Sequence, residues 1–162
     1  MRCKLYLDNV SVIGNYVFDG AENVEVHNST FISKDAFWNC KNVEIYDSTI
    51  DGEYLAWNTN NIKFINCKIE SDQGLNYIDY LTIKNSSLIH TDLAFEYVSN
   101  IDVELNATID SIKNPISGKI SVPEIRTLII NSNKVDHAKT EIVCSNIIQK
   151  VDHSDTHQQP KD

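Results

Sequence analysis

The feature that most constrains this chain is a repeat of 19 residues. Leu5-Tyr6-Leu7-Asp8-Asn9, Val24-Glu25-Val26-His27-Asn28, Val43-Glu44-Ile45-Tyr46-Asp47, Ile62-Lys63-Phe64-Ile65-Asn66 and Leu81-Thr82-Ile83-Lys84-Asn85 open five successive units with the same spacing. Each is an apolar-x-apolar-x-Asn/Asp phrase. A sixth unit opens at Ile101-Asp102-Val103 after a one-residue insertion, and a seventh strand is expected at Ile120-Ser121-Val122. The phrase continues through a small residue (Val10, Ser29, Ser48, Cys67, Ser86) to an apolar one (Val12, Phe31, Ile50, Ile69, Leu88), and the unit closes on Asn23, Asn42, Asn61, Tyr80 or Asn100. A fixed period of this length marks a repeat architecture, in which a unit buries its apolar face only against its neighbours.

Within each unit the apolar residues alternate with a period of two and are rich in Val, Ile and Phe, which is the pattern of short half-buried strands. Nothing sustains a period of 3.6. The recurrent Asn suits a corner, because Asn tolerates the left-handed backbone region and can bond to its copy on the next unit. The expected fold is therefore all-β: a single-stranded right-handed parallel β-helix, a solenoid of about six to seven coils of 19 residues. A left-handed hexapeptide helix would need a glycine every six residues, and the chain has five in all. One buried ladder is expected from Leu5, Val24, Val43, Ile62, Leu81, Ile101 and Ile120. The solenoid is expected to span residues 1–143, and the unpatterned polar segment 144–162 is expected to be a disordered tail, its His153 and His157 included.

Composition narrows the partners. The chain has 162 residues, which suits one domain. Fourteen Lys and Arg against 23 Asp and Glu leave a formal charge of −9, which repels phosphate backbones and anionic lipid surfaces. Neither nucleic acid nor a membrane is expected as a partner. The first residues, Met1-Arg2-Cys3-Lys4, run straight into the repeat with no apolar signal segment, so a cytoplasmic location is expected. Cysteines 3, 40, 67 and 144 form no CxxC pair and are read as reduced thiols, not as a zinc site or a disulfide framework.

Three phrases carry a family resemblance: Gly52-Glu53-Tyr54-Leu55-Ala56-Trp57-Asn58, Thr91-Asp92-Leu93-Ala94-Phe95-Glu96-Tyr97, and the segment Ile109-Asp110-Ser111-Ile112-Lys113-Asn114-Pro115-Ile116-Ser117-Gly118-Lys119. Through them, over roughly residues 5 to 130, the chain resembles an uncharacterised bacterial family of right-handed β-helix proteins, the domain of unknown function 3737 family. The resemblance implies a fold and no activity. Members of that family extend further toward the N-terminus, so the resemblance also implies a late start or a fragment of a longer chain. More distantly the architecture is similar to pectate lyases and polygalacturonases, a likeness of fold that says little about function.

In a solenoid, residues one unit apart become neighbours at about 4.8 Å. Columns therefore replace linear motifs. Asp51, Glu53, Glu70 and Asp72 converge on two adjacent coils, where like charges raise a pKa or recruit a cation, calcium being the natural one; no other cofactor is expected. Glu53, Asp72 and Asp92 form the candidate set of acid, base or metal ligands, since neighbouring coils match the roughly 5–5.5 Å of a retaining glycosidase pair and coils two apart, as for Glu53 and Asp92, the upper part of the roughly 6.5–9.5 Å inverting range. Against catalysis stand the absence of an arginine near these columns, Arg2 and Arg126 being the only two, and of the Asn-Thr-Asp and Gly-His-Gly phrases of polygalacturonase-type hydrolases. The alternative for the acidic columns is a solvated turn edge beside Lys34 and Lys68.

A second column reads Trp38, Trp57, Asn76 and Phe95, next to one that begins Phe18 and Phe37. Alternation places one column outside and the other in the core without saying which. Facing out, Trp38, Trp57 and Phe95 would form a platform for sugar rings, with Lys113 available to a carboxylate ligand or to Asp92. The leading reading is a non-catalytic scaffold binding a saccharide or other extended polymer. A carbohydrate-active enzyme using the carboxylate cluster is the alternative, and a protein-interaction rod is a third. Because only Met1-Arg2-Cys3-Lys4 precedes the first coil, end-to-end association of copies through residues 5–12 is expected.

Overall fold

The computed structural model describes residues 4–152. Its strands are β1 (Leu5–Asp8), β2 (Ser11–Gly14), β3 (Glu22–His27), β4 (Thr30–Ser33), β5 (Lys41–Tyr46), β6 (Thr49–Gly52), β7 (Asn60–Ile65), β8 (Lys68–Ser71), β9 (Asp79–Ile89), β10 (Ser99–Leu105), β11 (Ile109–Lys113), β12 (Gly118–Ser121), β13 (Glu124–Ile130), β14 (Thr140–Val143) and β15 (Asn146–Asp152). Every strand pairing is parallel. The first side of the solenoid is β1-β3-β5-β7-β9-β10-β12-β14, which makes eight coils. The second side is β2-β4-β6-β8-β9, because β9 turns the corner without a break. A third side closes each coil. It is turn-like in the early coils and becomes the sheet β11-β13-β15 in the last ones.

The 19-residue period works because each coil repeats the same choices. Val24, Val43, Ile62 and Leu81 stack in register and are buried, and Leu7, Val26, Ile45, Phe64 and Ile83 form a second inward ladder beside them. Phe31, Ile50, Ile69 and Leu88 line the second side. Asn9, Asn28, Asn66 and Asn85 occupy the left-handed region at the first corner, as does Asp47, and Asn23, Asn42, Asn61 and Asn100 do so at the last. Corner side chains then bond along the rod: Asn42 Nδ2 donates to Asn23 Oδ1 at 3.2 Å, Asn61 to Asn42 at 3.0 Å, and Asn85 to Asn66 at 2.7 Å.

The structure departs from the sequence reading in four places. There are eight coils and not six to seven, since the last ones lack the Asn phrase by which units are recognised. The expected ladder runs from Leu5 to Ile101 and then passes to Gly118, while Ile120 pairs with Val103 in the second ladder. The sixth coil, from Ile101 to Gly118, is short, and Gly118 makes that possible: its φ is +120°, and a Cβ there would overlap the Ile101 backbone. Leu5 is 46% exposed because no described coil covers it. Finally, β15 extends the solenoid past residue 143 to Asp152, with Ile147 on Ile125 and Val151 on Ile129. His153 and His157 lie outside the described residues.

Candidate functional site

The aromatic column and Glu53, Asp72 and Asp92 sit on the turn-like third side, while Asp51 in β6 and Glu70 in β8 lie on the adjoining second side. The one-residue insertion decides how the third side is built. Gln73 N donates to the Glu53 carbonyl and Asp92 N to the Asp72 carbonyl, so Tyr54, Gln73 and Asp92 keep the 19-residue register. Further along the same side the register has slipped, because Tyr77 N donates to the Glu96 carbonyl and thereby sets Tyr77 over Tyr97. The extra residue is absorbed at Leu93, which sits at φ 53°. Phe95 consequently stands with Phe18, Phe37, Ala56 and Leu75, all left-handed and turned into the core, and is itself fully buried. It does not share the surface with the tryptophans.

The surface column is aromatic all the same. Trp38 and Trp57 are half-buried and stack at 5.6 Å with a 10° angle between their planes. Their ring N–H groups donate to the carbonyls of Tyr54 (2.6 Å) and Gln73 (2.9 Å), which fixes both indoles against the third side. Asn76 follows Trp57 in the column but is fully buried, and the ring of Tyr77 occupies the surface place beside Trp57 at 5.4 Å. Tyr97 continues the line at 5.9 Å from Tyr77, and Tyr16 begins it at 6.1 Å from Trp38. Tyr54 packs edge-on to Trp57 at 5.5 Å. The result is a stripe across five coils, about 19 Å long at the spacing of stacked strands. Its indoles form the base and face each other. The exposed ring area belongs to Tyr16, Tyr54 and Tyr77, which are 56%, 37% and 44% exposed.

Tyr77 and Tyr97 occupy a column that holds Asn39 and Asn58 in the preceding coils, and all four are left-handed. The asparagines follow the ladder rule, Asn58 Nδ2 donating to Asn39 Oδ1 at 2.8 Å and Asn39 to Asp19 at 3.0 Å. A bulky side chain at positive φ is strained by roughly 1–3 kcal/mol where Asn is nearly at ease. The sequence reading missed Tyr97 because it carried the 19-residue register past the insertion, and missed Tyr77 because its column opens on Asn39 and Asn58.

The carboxylates lie beside the stripe. Asp51, Glu53 and Asp72 line a shallow cleft of about 410 Å³ together with Ser33, Lys34 and Gly52. Gly52 is required there, because a Cβ would overlap the Ser33 carbonyl oxygen; the Lys34 carbonyl next to it accepts both the Glu53 and the Tyr54 N–H. Glu70 and Asp92 are not among these lining residues. Glu70 is 2.8 Å from His90 Nδ1, and Asp92 accepts a long 3.5 Å bond from Ser111. His90 is thus the partner of Glu70 and not of Asp92, and Lys113 lies 3.5 Å from Glu96. Among the described residues no group of three or more His, Cys, Asp or Glu side chains is arranged to hold a metal ion, so Asp51, Glu53, Glu70 and Asp72 do not close into a ligand set. Of two enclosed polar groups nearby in the chain, Ser33 lines this cleft and Asp35 does not. Ser33 Oγ and Asp35 Oδ1 are enclosed and have no hydrogen-bond partner among the described residues.

A separate group lies on the first side. His27 Nε2 is 2.7 Å from Glu25, and its ring stacks on Tyr46 at 4.7 Å. Tyr46 donates to Glu44 at 2.6 Å, and this bond to a carboxylate pushes the phenol up to about 12.

Fold and surface together define a repeat protein of the parallel β-solenoid class with an aromatic stripe on its third side. The chain belongs to the family described as protein of unknown function DUF3737, whose model matches residues 1–143. No curated protein and no solved structure matches it.

Proposed function

We propose that the protein is a non-catalytic binding scaffold for a saccharide polymer, which lies along the solenoid axis on the stripe from Tyr16 to Tyr97. The observation that supports this reading is the pair Tyr77 and Tyr97, aromatic side chains held in left-handed positions where the fold itself is better served by Asn. Core packing does not account for Tyr77, which is 44% exposed. Aromatic rings with one polar end suit a sugar, whose apolar ring face stacks while its hydroxyls bond at the rim. A rise of about 4.8 Å per coil sets one aromatic group against roughly one sugar ring. The test is a glycan array run beside a reducing-sugar assay, on the wild type and on Tyr77→Asn/Tyr97→Asn. That variant extends the Asn39–Asn58 ladder and should fold, so loss of binding in it reports on the rings. Unchanged binding by the folded variant refutes the stripe.

A second reading has its own observation. Glu53 and Asp72 line one cleft beside Tyr54, together with the unpartnered hydroxyl of Ser33. In that reading they act as a carboxylate pair on a glycosidic bond of the bound polymer. Release of reducing ends that disappears in Glu53→Gln would replace the scaffold by an enzyme.

A further inference from the structure

The stripe ends at a second cleft, which neither the repeat nor the family accounts for. It encloses about 190 Å³ and is lined by Glu96, Tyr97, Lys113, Asn114, Asn131 and Lys134. Asn114 and Asn131 are 1% and 8% exposed. Asn114 Oδ1 accepts the Asn131 N–H at 2.7 Å, and Asn131 Oδ1 accepts the Asn133 N–H at 3.0 Å. With both oxygens engaged by backbone, each amide has only its Nδ2 donors left to offer to a ligand in the cleft. The two lysines add ammonium donors. Lys113 is partly neutralised by Glu96 at 3.5 Å, whereas Lys134 makes no ion pair among the described residues.

Two amides and two ammonium groups against one carboxylate make a cationic, donor-rich pocket on a chain whose formal charge is −9. The general field of such a chain repels anions, and salt screens it beyond about 8 Å. Only a locally built site attracts one. We propose that this cleft binds the carboxylate of an acidic sugar, so that the polymer on the stripe is an anionic one. This rests on the saccharide-binding reading above and names its substrate class. A free inorganic anion would satisfy the donors and leave the Tyr97 ring unused; a uronic acid residue engages both, with its carboxylate on the donors and its ring on the phenol.

The experiment compares an oligouronide with its carboxyl-reduced, neutral form by calorimetric titration of the full chain. The expected result is binding about tenfold tighter for the acidic form, since each charge-assisted bond is stronger than its neutral counterpart. The preference should fade as salt is raised, and Lys113→Gln/Lys134→Gln should abolish it without altering affinity for the neutral form. Glu96→Gln removes the competing carboxylate and should strengthen binding of the oligouronide alone. Equal affinity for the two forms, or a preference that survives the double substitution, overturns the proposal. If neither oligosaccharide binds, the stripe reading fails by itself, and the cleft is then tested with D-glucuronate. Shifts of the Asn114 and Asn131 side-chain amide resonances would sustain the anion site, and their absence would end it.

Discussion

The five coils up to Ile89 and the three from Ser99 onward are kept in register by different means. In the first group the coils repeat the same inward ladders and, except at Asp47 and Tyr80, the same corner asparagines, so no single residue decides the stacking. In the second the ladder passes from Ile101 to Gly118 to Thr140, the coil length changes, and one glycine carries the close approach. A repeated device spreads its contribution over many sites and tolerates loss at each. A device used once does not.

The largest expected effect is therefore at Gly118. Its φ of +120° is a conformation for glycine, and an added methyl group would meet the Ile101 nitrogen, carbon and oxygen together. Backbone strain and overpacking combine to a loss of about 4 kcal/mol for Gly118→Ala. Thermal melting should show a drop of more than about 10 °C. A melt within a few degrees of the wild type would mean that the sixth and seventh coils do not approach this closely.

Asn61→Ala, in the regular region, should cost much less. The substitution removes the bond from Asn61 Nδ2 to Asn42 and leaves a Cβ-bearing residue at φ 65° without its compensating amide. An exposed bond and mild backbone strain together amount to about 1–1.5 kcal/mol, and Asn61→Gly should recover roughly half of it by easing the backbone. Urea titration measures both. A loss as large as that of Gly118→Ala would erase the contrast between the two regions.

Tyr80 offers the opposite sign. It interrupts the column Asn23, Asn42, Asn61 and Asn100 at φ 66°, it is 55% exposed, and it forces Asn100 Nδ2 to take Asp79 Oδ1 as its acceptor instead. Tyr80→Asn restores a ladder member at a position whose backbone already suits it, and should stabilise by about 0.5–1 kcal/mol. A destabilised variant would show that the Tyr80 ring contributes packing worth more than the ladder.

The same contrast explains what the sequence revealed. Corners that need left-handed backbone recruit Asn, and inward positions recruit Val, Ile and Phe, so the period, the parallel stacking and the first two sides were legible from Leu5 to Leu88. The insertion was visible as a count but not as a place. Leu93 absorbs it with a left-handed backbone and no distinctive residue type, and the one-residue slip that follows turned Phe95 inward and hid Tyr97. Gly118 and β14 were illegible for a related reason: a register set once leaves no second copy to compare. The 19-residue spacing is enough to put Asp51, Glu53, Glu70 and Asp72 on adjacent coils, but it does not tell that Glu70 meets His90 while the other three line one cleft. The cleft at Asn114, Asn131 and Lys134 was not foreseen, since its walls come from the irregular coils.

The smallest effect to be measured is kinetic, and it compares local opening in the two regions through their own thiols. Cys40 and Cys67 are buried in the regular coils, and removal from water pushes each thiol up to about 11, which keeps the reactive thiolate scarce at neutral pH. Cys144 lies in the last coil and is only half-buried. Because the folded values lie above those of the unfolded chain, the stabilising contribution is complete below the ordinary thiol range. It is lost as pH rises through about 11, and none is lost between pH 6 and 8. Iodoacetamide at pH 8, with the labelled peptides read by mass spectrometry, should therefore modify Cys144 before Cys40 and Cys67. Cys40 and Cys67 should react only through opening of the solenoid, and at rates equal to each other if the regular coils open as one unit. Unequal rates, with Cys67 ahead of Cys40, would mean that the irregular end unravels into the regular one and that the boundary near Ile89 does not hold. Equal and slow rates would place the boundary of cooperative unfolding where the register changes.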